Sequence, residues 1–389
     1  MTASLVDSSG IETLPKPHPN PSNLERIGLV AQRYGTPEMA EIWVDEGTFE
    51  YILKSQSAAV STMSKLYPSN VPPEHAEELA ASANLTVIDP QRIRVLEDET
   101  GHDMIAINTA WGEKVGNLAG ANINKARTSA DSTETAKALQ IKASLEIIID
   151  SLENLRDVTL EKSMAWRHIP HMDTTHLYDA LPTVLGRPLA YFGEVIQSNL
   201  NRLGYVYNNC IVGKWADATG NHHSAKSLGM DGIALQEAYC KDLGIGHMMA
   251  PAQIPAREYL TAIISEMAIN AETMRDFAKF IRQHRSDDTG VFKVPRKNKG
   301  SSAMPHKDEK GGNPSLEEQT ESYSNVTRGA LTTSLSSCTF DYARDLTGSA
   351  SDRIILPEVF VFGDYVIRRL AGRVYSLQPV EDRCMERVT

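Results

Sequence analysis

The sequence predicts an all-α protein built around a bundle of long helices. Apolar residues recur three and four positions apart along several long segments, which is the period of an amphipathic helix. Alternation of apolar and polar residues, which indicates half-buried strands, is scarce. Polar loops separate the helical segments, so the apolar seams are expected to pack against helices of the same chain or of other subunits.

The chain is expected to begin with a flexible or extended leader, because four prolines between positions 15 and 21 exclude a regular helix. Helical periodicity dominates after this leader. The predicted division is a leader (1–25), an N-terminal helical domain (26–125), a central long-helix bundle domain (126–370) and the start of a truncated C-terminal domain (371–389).

The first long helix of the bundle is predicted to open at an N-cap-like sequence, Asp131-Ser-Thr-Glu134. No glycine or proline interrupts the segment before Pro170. The apolar residues of its seam are Leu145, Ile148, Leu152 and Leu155. This spacing predicts a helix of many turns with one buried stripe.

A second long helix is predicted from Arg257 to His284, again without glycine or proline. Its seam consists of Leu260, Ile263, Met267, Met274, Phe277 and Ile281. We interpret the Met and Leu stripes as core rather than as cofactor contacts. Further helices are predicted at Pro188–Leu203, Pro314–Ser337, the apolar run Ile354–Leu377 and the end segment Pro379–Thr389.

The composition excludes several classes of protein. With 39 Lys and Arg against 50 Asp and Glu the net charge is -11, which argues against nonspecific binding of nucleic acid or an anionic membrane. No run reaches the length of a membrane span and the polar N-terminus does not resemble a signal peptide, so a cytoplasmic location is expected. Four scattered cysteines without a CxxC pair suggest neither a metal site nor a disulfide framework.

One loop, KGSSAMPHKDEKGGNP from Lys299 to Pro314, is rich in groups capable of chemistry. Six cations lie in this loop or just before it, within eighteen positions: Lys293, Arg296, Lys297, Lys299, Lys307 and Lys310. The cluster fits either a polyanionic ligand or a solvated basic loop. Gly300, Gly311 and Gly312 bracket it as candidate hinges. Ser301 lacks a GxSxG context, so proton transfer is expected of it rather than acyl chemistry.

The segment from Gly300 to Lys307, followed by Asn313-Pro314, resembles the signature loop of the fumarase/aspartase superfamily, GSSxMPxKxNP. Further blocks between about residue 30 and residue 385 are similar, in the same order, to the adenylosuccinate lyase family within that superfamily. These blocks contain Arg33-Tyr34, His102-Asp103, Thr128-Ser129, Thr175-His176, Gln253 and the segment Arg344 to Arg353.

The resemblance implies roles for individual residues. Ser301 would be the catalytic base and His176 the acid that protonates the departing nitrogen. Lys307 and loop N–H groups would stabilise a dianionic intermediate. The substrate-binding residues would be Arg33, Tyr34, His102, Asp103, Thr128, Ser129, Gln253, Ser302, Lys307, Asn313, Arg344, Ser349 and Arg353. Of these, Arg33, Tyr34, Ser349 and Arg353 would hold a phosphate.

The resemblance also implies a three-domain fold with a long central helical bundle and a homotetramer whose active sites are each shared between subunits. The implied activity is elimination of fumarate from adenylosuccinate and from a succinylaminoimidazole carboxamide ribotide, without a metal or redox cofactor. The implied partner is a small nucleotide rather than nucleic acid or a membrane.

Three departures from the family pattern keep other readings open. Five residues separate Lys307 from Asn313 where the family has one, Thr174 and Tyr178 replace arginine and glutamine beside His176, and Ala350 replaces a serine. The alternatives are another fumarate-releasing C–N lyase, a carboxymuconate-type cycloisomerase, or a non-catalytic protein on the same scaffold. The intact set of Ser301, His176 and Lys307 speaks against the last of these.

Overall fold

A computed structural model describes residues 31–295, 301–307 and 311–389. The predicted leader, the cations Arg296, Lys297, Lys299 and Lys310, and the hinge Gly300 lie outside these residues. The helices in the described ranges are α1 (Ala31–Tyr34), α2 (Pro37–Trp43), α3 (Asp45–Leu66), α4 (Pro73–Ser82), α5 (Pro90–Thr100), α6 (Asp103–Gly112), α7 (Asn117–Gly120), α8 (Ser129–Ala165), α9 (Gly186–Asn209), α10 (His223–Ser227), α11 (Gly232–Asp242), α12 (Arg257–His284), α13 (Ser315–Ser336), α14 (Ser349–Ser376) and α15 (Glu381–Val388).

The strands of the described residues are short. They form three two-stranded ribbons: β1 (Pro170–Thr175) with β2 (Tyr178–Val184), β3 (Val212–Gly213) with β4 (Gly246–His247), and β5 (Phe292–Lys293) with β6 (Gln378–Pro379). The β3–β4 pair is parallel and the other two are antiparallel. The prediction of an all-α fold class is therefore confirmed.

Five long helices, α8, α9, α12, α13 and α14, form the central bundle. Helix α8 packs along α9 and α14, and α12 packs along α13 and α9. Both predicted seams are buried in the resulting core, with Leu145, Ile148, Leu152 and Leu155 of α8 all at 0% exposure. The prediction of α12 from Arg257 to His284 is also confirmed.

The start of α8 differs from the prediction. Thr128, rather than Asp131, is the N-cap, and Asp131 lies three residues into the helix. The Asp131 carboxylate accepts a hydrogen bond from the Thr128 backbone N–H at 2.8 Å, which completes a capping box. The cap was assigned to the wrong residue because an aspartate fits either position of this motif.

A second apolar cluster lies beside the bundle. It joins helices α3 to α6 with residues much later in the chain, including Trp215, Leu235 and Tyr239. The proposed domain boundaries remain a prediction. Among the helices that the structure describes, none has the length and apolar content needed to cross a membrane.

Candidate active site

The length of α8 divides the predicted site residues into two groups. The helix has 37 residues, which at 1.5 Å per residue is a span of about 55 Å. We call its beginning the Thr128 end and its far end, where the β1–β2 hairpin and the loop before α13 lie, the Ser301 end. His102, Asp103, Thr128, Ser129, Gln253, Arg344, Ser349 and Arg353 lie at the Thr128 end, and His176, Ser301, Ser302, Lys307 and Asn313 lie at the Ser301 end.

At the Thr128 end, the structure brings His102, Asp103 and Arg353 together. His102 caps α6, and its Nδ1 accepts a hydrogen bond from the Met104 backbone N–H at 3.2 Å. Arg353, the fifth residue of α14, places Nη2 3.8 Å from Asp103 Oδ2. Its side chain is 76% exposed, so the guanidinium is available to an anionic group.

A buried ion pair fixes Thr128 and Ser129 at the start of α8. The ammonium of Lys214 contacts the Asp131 carboxylate, and both side chains are fully buried. Asp131 also accepts hydrogen bonds from the backbone N–H groups of Ala216 (2.9 Å) and Asp217 (3.2 Å). The Asp131 carboxylate thus connects the start of α8, with Thr128 and Ser129, to the segment that follows Lys214.

The segment after Lys214 holds Gln253 in turn. Gln253 Nε2 donates to the carbonyl of Ala218 at 2.9 Å. Burial would raise the pKa of Asp217, but N–H groups of Ser224, Thr219 and His223 hold it below its usual value. An ionised Asp217 therefore stabilises the turn that contains Ala218, whose carbonyl accepts the hydrogen bond from Gln253.

A second buried network joins the second and third turns of α8 to the first turns of α12 and α14. Asp352 Oδ2 lies 2.6 Å from Arg257 Nη1 and 3.2 Å from Lys137 Nζ, and Glu134 pairs with Lys137 at 3.1 Å. Burial opposes ionisation of Glu134, yet the two cations lower its pKa. The network fixes the helix start that presents Ser349 and Arg353.

The predicted phosphate contacts are not all adjacent within one chain. Tyr34 packs against Phe362 and Tyr365, with ring centroids 6.1 and 5.7 Å apart. Phe362 follows Ser349 by thirteen residues of α14, or about 20 Å along the helix. Within one chain, Arg33 and Tyr34 are therefore separated from Ser349 by about 20 Å along α14. Because Phe362 follows Arg353 by nine residues, their separation from Arg353 is about 14 Å.

At the Ser301 end, the loop before α13 forms a compact turn. The Ser301 hydroxyl oxygen accepts a hydrogen bond from the Met304 backbone N–H at 3.0 Å, and residues 305–307 form one 3₁₀ turn. Ser301 is half-buried and Ser302 is exposed. The Ser301 oxygen is thus oriented by its own loop.

Lys307 and Asn313 meet although five residues separate them. Gly312 donates its backbone N–H to the Lys307 carbonyl at 2.8 Å, and Lys307 Nζ donates to Asn313 Oδ1 at 3.2 Å. The extra residues therefore leave Asn313 beside Lys307, so that the amide and the ammonium of the signature loop remain paired.

His176 occupies the tip of the β1–β2 hairpin. Thr175 pairs with Tyr178, and the two residues between them, His176 and Leu177, have φ values of 56° and 68°. Two successive positive φ angles are typical of a type I′ turn. The imidazole is exposed and lines a cleft of about 430 Å³ together with Arg187, Tyr191, Asp276 and Lys279.

One chain does not place the two proposed catalytic groups together. Among the described residues, no hydrogen bond or ion pair joins His176 to Ser301, Lys307 or Asn313, and none of these three lines the His176 cleft. No group of three or more His, Cys, Asp or Glu side chains in the described ranges is placed to hold a metal ion.

Several functional candidates at these ends were not predicted from the sequence. They are the buried charged side chains Lys214, Arg257, Arg285, Glu317 and Asp352. Charged residues that interrupt apolar segments are a signal for such sites, but their partners are distant in sequence. Lys214 and Asp131, for example, are 83 positions apart.

Buried His171 of the hairpin packs against half-buried His284 at the end of α12, and the stability contribution of this pair depends on pH. His171 and His284 lie with ring centroids 5.5 Å apart, and burial lowers the pKa of each from 6.5 to about 4. Between these values the unfolded chain binds more protons than the folded chain. Stability from this pair is therefore complete above pH 6.5 and is expected to fall as the pH decreases toward 4.

Urea unfolding between pH 7.5 and 4.5 checks this expectation. His171→Asn is expected to flatten the decline in the unfolding free energy, whereas His168→Gln, which changes an exposed histidine before the same hairpin, is expected to leave it unchanged. Equal slopes in the wild type and His171→Asn would contradict the assignment.

Comparison with known proteins agrees with the geometry. Residues 32–326 match the family described as lyase. The chain is 30% identical over 338 residues to an adenylosuccinate lyase of Methanocaldococcus jannaschii, covering 86% of this chain and 71% of that protein. It is 31% identical to an adenylosuccinate lyase of Pyrococcus abyssi, covering 86% and 73% of the two chains.

Solved structures give the same fold. A fumarate lyase from Mesorhizobium sp. BNC1 has a TM-score of 0.79 at 20% identity, covering 91% of this chain and 78% of that one. A 3-carboxy-cis,cis-muconate lactonizing enzyme from Pseudomonas putida has a TM-score of 0.81 at 20% identity, covering 92% and 78%. The chain therefore belongs to the lyase family of the fumarase/aspartase superfamily and is a carbon–nitrogen lyase.

Proposed function

We propose that this lyase cleaves adenylosuccinate to AMP and fumarate, and likewise releases fumarate from a succinylaminoimidazole carboxamide ribotide. Arg353 carries the proposal, since a largely exposed guanidinium stands at the Thr128 end beside the residues expected to hold a nucleotide. A phosphate distinguishes these substrates from other succinyl-amines, and Arg binds phosphate through two parallel hydrogen bonds. Identities of 30–31% with proteins named adenylosuccinate lyase support the same assignment.

The proposed reaction is an anti elimination with two groups acting on opposite faces of the succinyl moiety. Ser301 Oγ removes the proton next to a carboxylate, and the carbanion is held as an aci-carboxylate by Lys307 and neighbouring N–H groups. The electron pair then forms the C=C bond of fumarate as the C–N bond breaks. His176 gives a proton to the departing nitrogen, a role that a protonated imidazole can fill as a general acid.

Lys307 also supplies the positive charge that a serine base requires. A serine hydroxyl is a weak base, and a nearby ammonium stabilises its alkoxide form. Lys307 lies six residues from Ser301 in the same compact turn, and its ammonium already has one neutral partner in Asn313. That partner orients the ammonium without neutralising its charge.

Purified protein incubated with adenylosuccinate tests the proposal directly. Stoichiometric release of AMP and fumarate is expected, and Arg353→Ala is expected to raise KM for this substrate. Release of fumarate from a phosphate-free succinyl-amine alone would contradict the nucleotide assignment and favour another C–N lyase. Conversion of a carboxymuconate without release of an amine would favour the cycloisomerase reading.

We propose further that each active site is assembled from more than one subunit of a homotetramer. The separation of the Thr128 end from the Ser301 end supports this, since the two groups of residues are about 55 Å apart along α8. An antiparallel neighbouring bundle would bring the Thr128 end of one chain to the Ser301 end of another.

Mixing of inactive variants tests the shared site. Co-expressed Ser301→Ala and His102→Ala subunits are expected to regain activity, because about a quarter of the sites contain neither change if subunits assort at random. A mixture of Ser301→Ala with Lys307→Ala is the control, since these residues belong to the same loop and are expected to enter the same site. If the first mixture gains no more activity than the control, the residues of each site come from one chain.

A further inference from the structure

Arg285 occupies an unusual position between the end of one bundle helix and the loop that carries Ser301. It directly follows α12 and its side chain is only 5% exposed. Nη1 donates to Glu317 Oε1 at 2.8 Å, and Nη2 donates to the carbonyls of Gly311 and Gly312, both at 3.3 Å. One planar guanidinium thus connects a buried carboxylate to the backbone of the loop.

Glu317 fixes the orientation of this guanidinium. Its carboxylate is fully buried in the first turn of α13, and Arg373 Nε of α14 lies 2.9 Å from the same oxygen that Arg285 contacts. Two guanidinium groups from two helices therefore share one carboxylate. The buried carboxylate oxygen that Arg285 shares with Arg373 therefore orients the Arg285 guanidinium toward the loop.

The loop backbone at this point is tightly constrained. Gly311 and Gly312 have φ values of 86° and 76°, and a Cβ at Gly311 would lie 2.4 Å from the Val294 carbonyl oxygen. Only glycine fits this combination of positive φ and close approach. The segment that enters the loop at Val294 and the segment that leaves it at Gly311 are therefore in close contact, at the point where Arg285 donates its hydrogen bonds.

This contact leads directly to the site residues. Gly312, whose carbonyl accepts from Arg285, donates its own N–H to the Lys307 carbonyl, and Lys307 Nζ reaches Asn313. We propose that Arg285 is a positioning residue for the elimination, acting through Gly311 and Gly312 on Lys307 and Asn313. The inference rests on the proposed function, because it assigns Lys307 to the stabilisation of the intermediate.

A positioning role predicts a loss of turnover that exceeds any loss of stability. Arg285→Lys retains a cation opposite Glu317 but lacks the fork that reaches both carbonyls. Because misplacement of a catalytic group by about 1 Å costs up to about a hundredfold, kcat is expected to fall at least about tenfold with KM within about threefold of the wild type. Amide exchange at Gly312 is expected to accelerate.

Arg282→Lys is the matched control. Arg282 lies one turn earlier on α12 and pairs with Glu321 of α13 at 3.0 Å, and no hydrogen bond or ion pair joins its side chain to the described loop residues 301–307 and 311–314. Its kcat and its Gly312 exchange rate are expected to equal those of the wild type. Free guanidinium ion, added at a concentration too low to unfold the protein, is expected to restore part of the kcat of Arg285→Ala.

The outcomes separate the two proposals. If the wild type releases fumarate and Arg285→Lys has the same kcat while its thermal midpoint falls, Arg285 is purely structural and the inference is overturned. An unchanged Gly312 exchange rate in Arg285→Lys would overturn it as well. If the wild type releases no fumarate from any succinyl-amine, that result contradicts the proposed function itself. The proposed role of Arg285 in catalysis, which depends on that function, is then overturned as well.

Discussion

Replacement of Ser301 with alanine is expected to lower kcat by at least about a hundredfold, with little change in substrate affinity or stability. The hydroxyl oxygen is the proposed proton acceptor, and the methyl group of alanine cannot accept a proton. The only described bond that the change removes is the 3.0 Å contact from Met304, so the turn is expected to persist. Fumarate release at saturating substrate, together with the thermal midpoint, measures both effects.

Ser315→Ala is the appropriate comparison for this result. Ser315 is an exposed serine at the first position of α13, at the same end of the bundle. We expect the Ser315→Ala variant to have the same kcat as the wild type. A Ser301→Ala enzyme working at a rate close to that of Ser315→Ala would remove Ser301 from the role of base and redirect attention to another oxygen or nitrogen of the loop.

His176→Ala is expected to have a similarly large effect, again about a hundredfold or more on kcat. An amine leaving without a proton departs as a strongly basic anion, so the acid contributes most when the C–N bond breaks. The exposed imidazole at the hairpin tip is free of described hydrogen bonds, and its removal is not expected to unfold the hairpin. The pH profile of kcat is expected to lose one limb along with the rate.

His168→Gln serves as the matched variant, because His168 is an exposed histidine just before β1. It is expected to keep both the rate and the shape of the pH profile. A His176→Ala enzyme that keeps both limbs of the profile would show that another group protonates the leaving nitrogen. A substrate with a less basic leaving nitrogen should narrow the difference between His176→Ala and the wild type, because less proton transfer is then required.

The spacing of apolar residues was enough to predict the helices of the bundle. It did not predict the N-cap of α8 or the β1–β2 hairpin. The apolar residues of α12 form one stripe only if the segment is helical, and the predicted first and last residues of the helix match the structure. The β1–β2 hairpin carries mostly exposed residues, so no alternation marks it. Its turn also uses His176 and Leu177 where Asn-Gly is the usual sequence.

The candidate site was predictable only as separate pieces. The signature loop identified Ser301, Lys307 and Asn313 by their order, yet the sequence could not tell whether the extra residues separate the last two. Buried partners such as Arg285 and Glu317 lie 32 positions apart, and their pairing depends on how α12 packs against α13. Distances of that kind arise from tertiary packing, which local patterns do not encode.

The hydrogen bond from Gly312 to the Lys307 carbonyl has a consequence for how such loops are recognised and engineered. Because this backbone contact brings Asn313 beside Lys307, the number of residues between Lys307 and Gly311 can differ from the family pattern without separating the lysine from the asparagine. A search that demands fixed spacing would discard this chain, whereas one that allows a variable gap there would retain it. An engineered change in the number of residues between Lys307 and Gly311 is therefore expected to disturb the pair less than a substitution of Gly311, where only glycine fits.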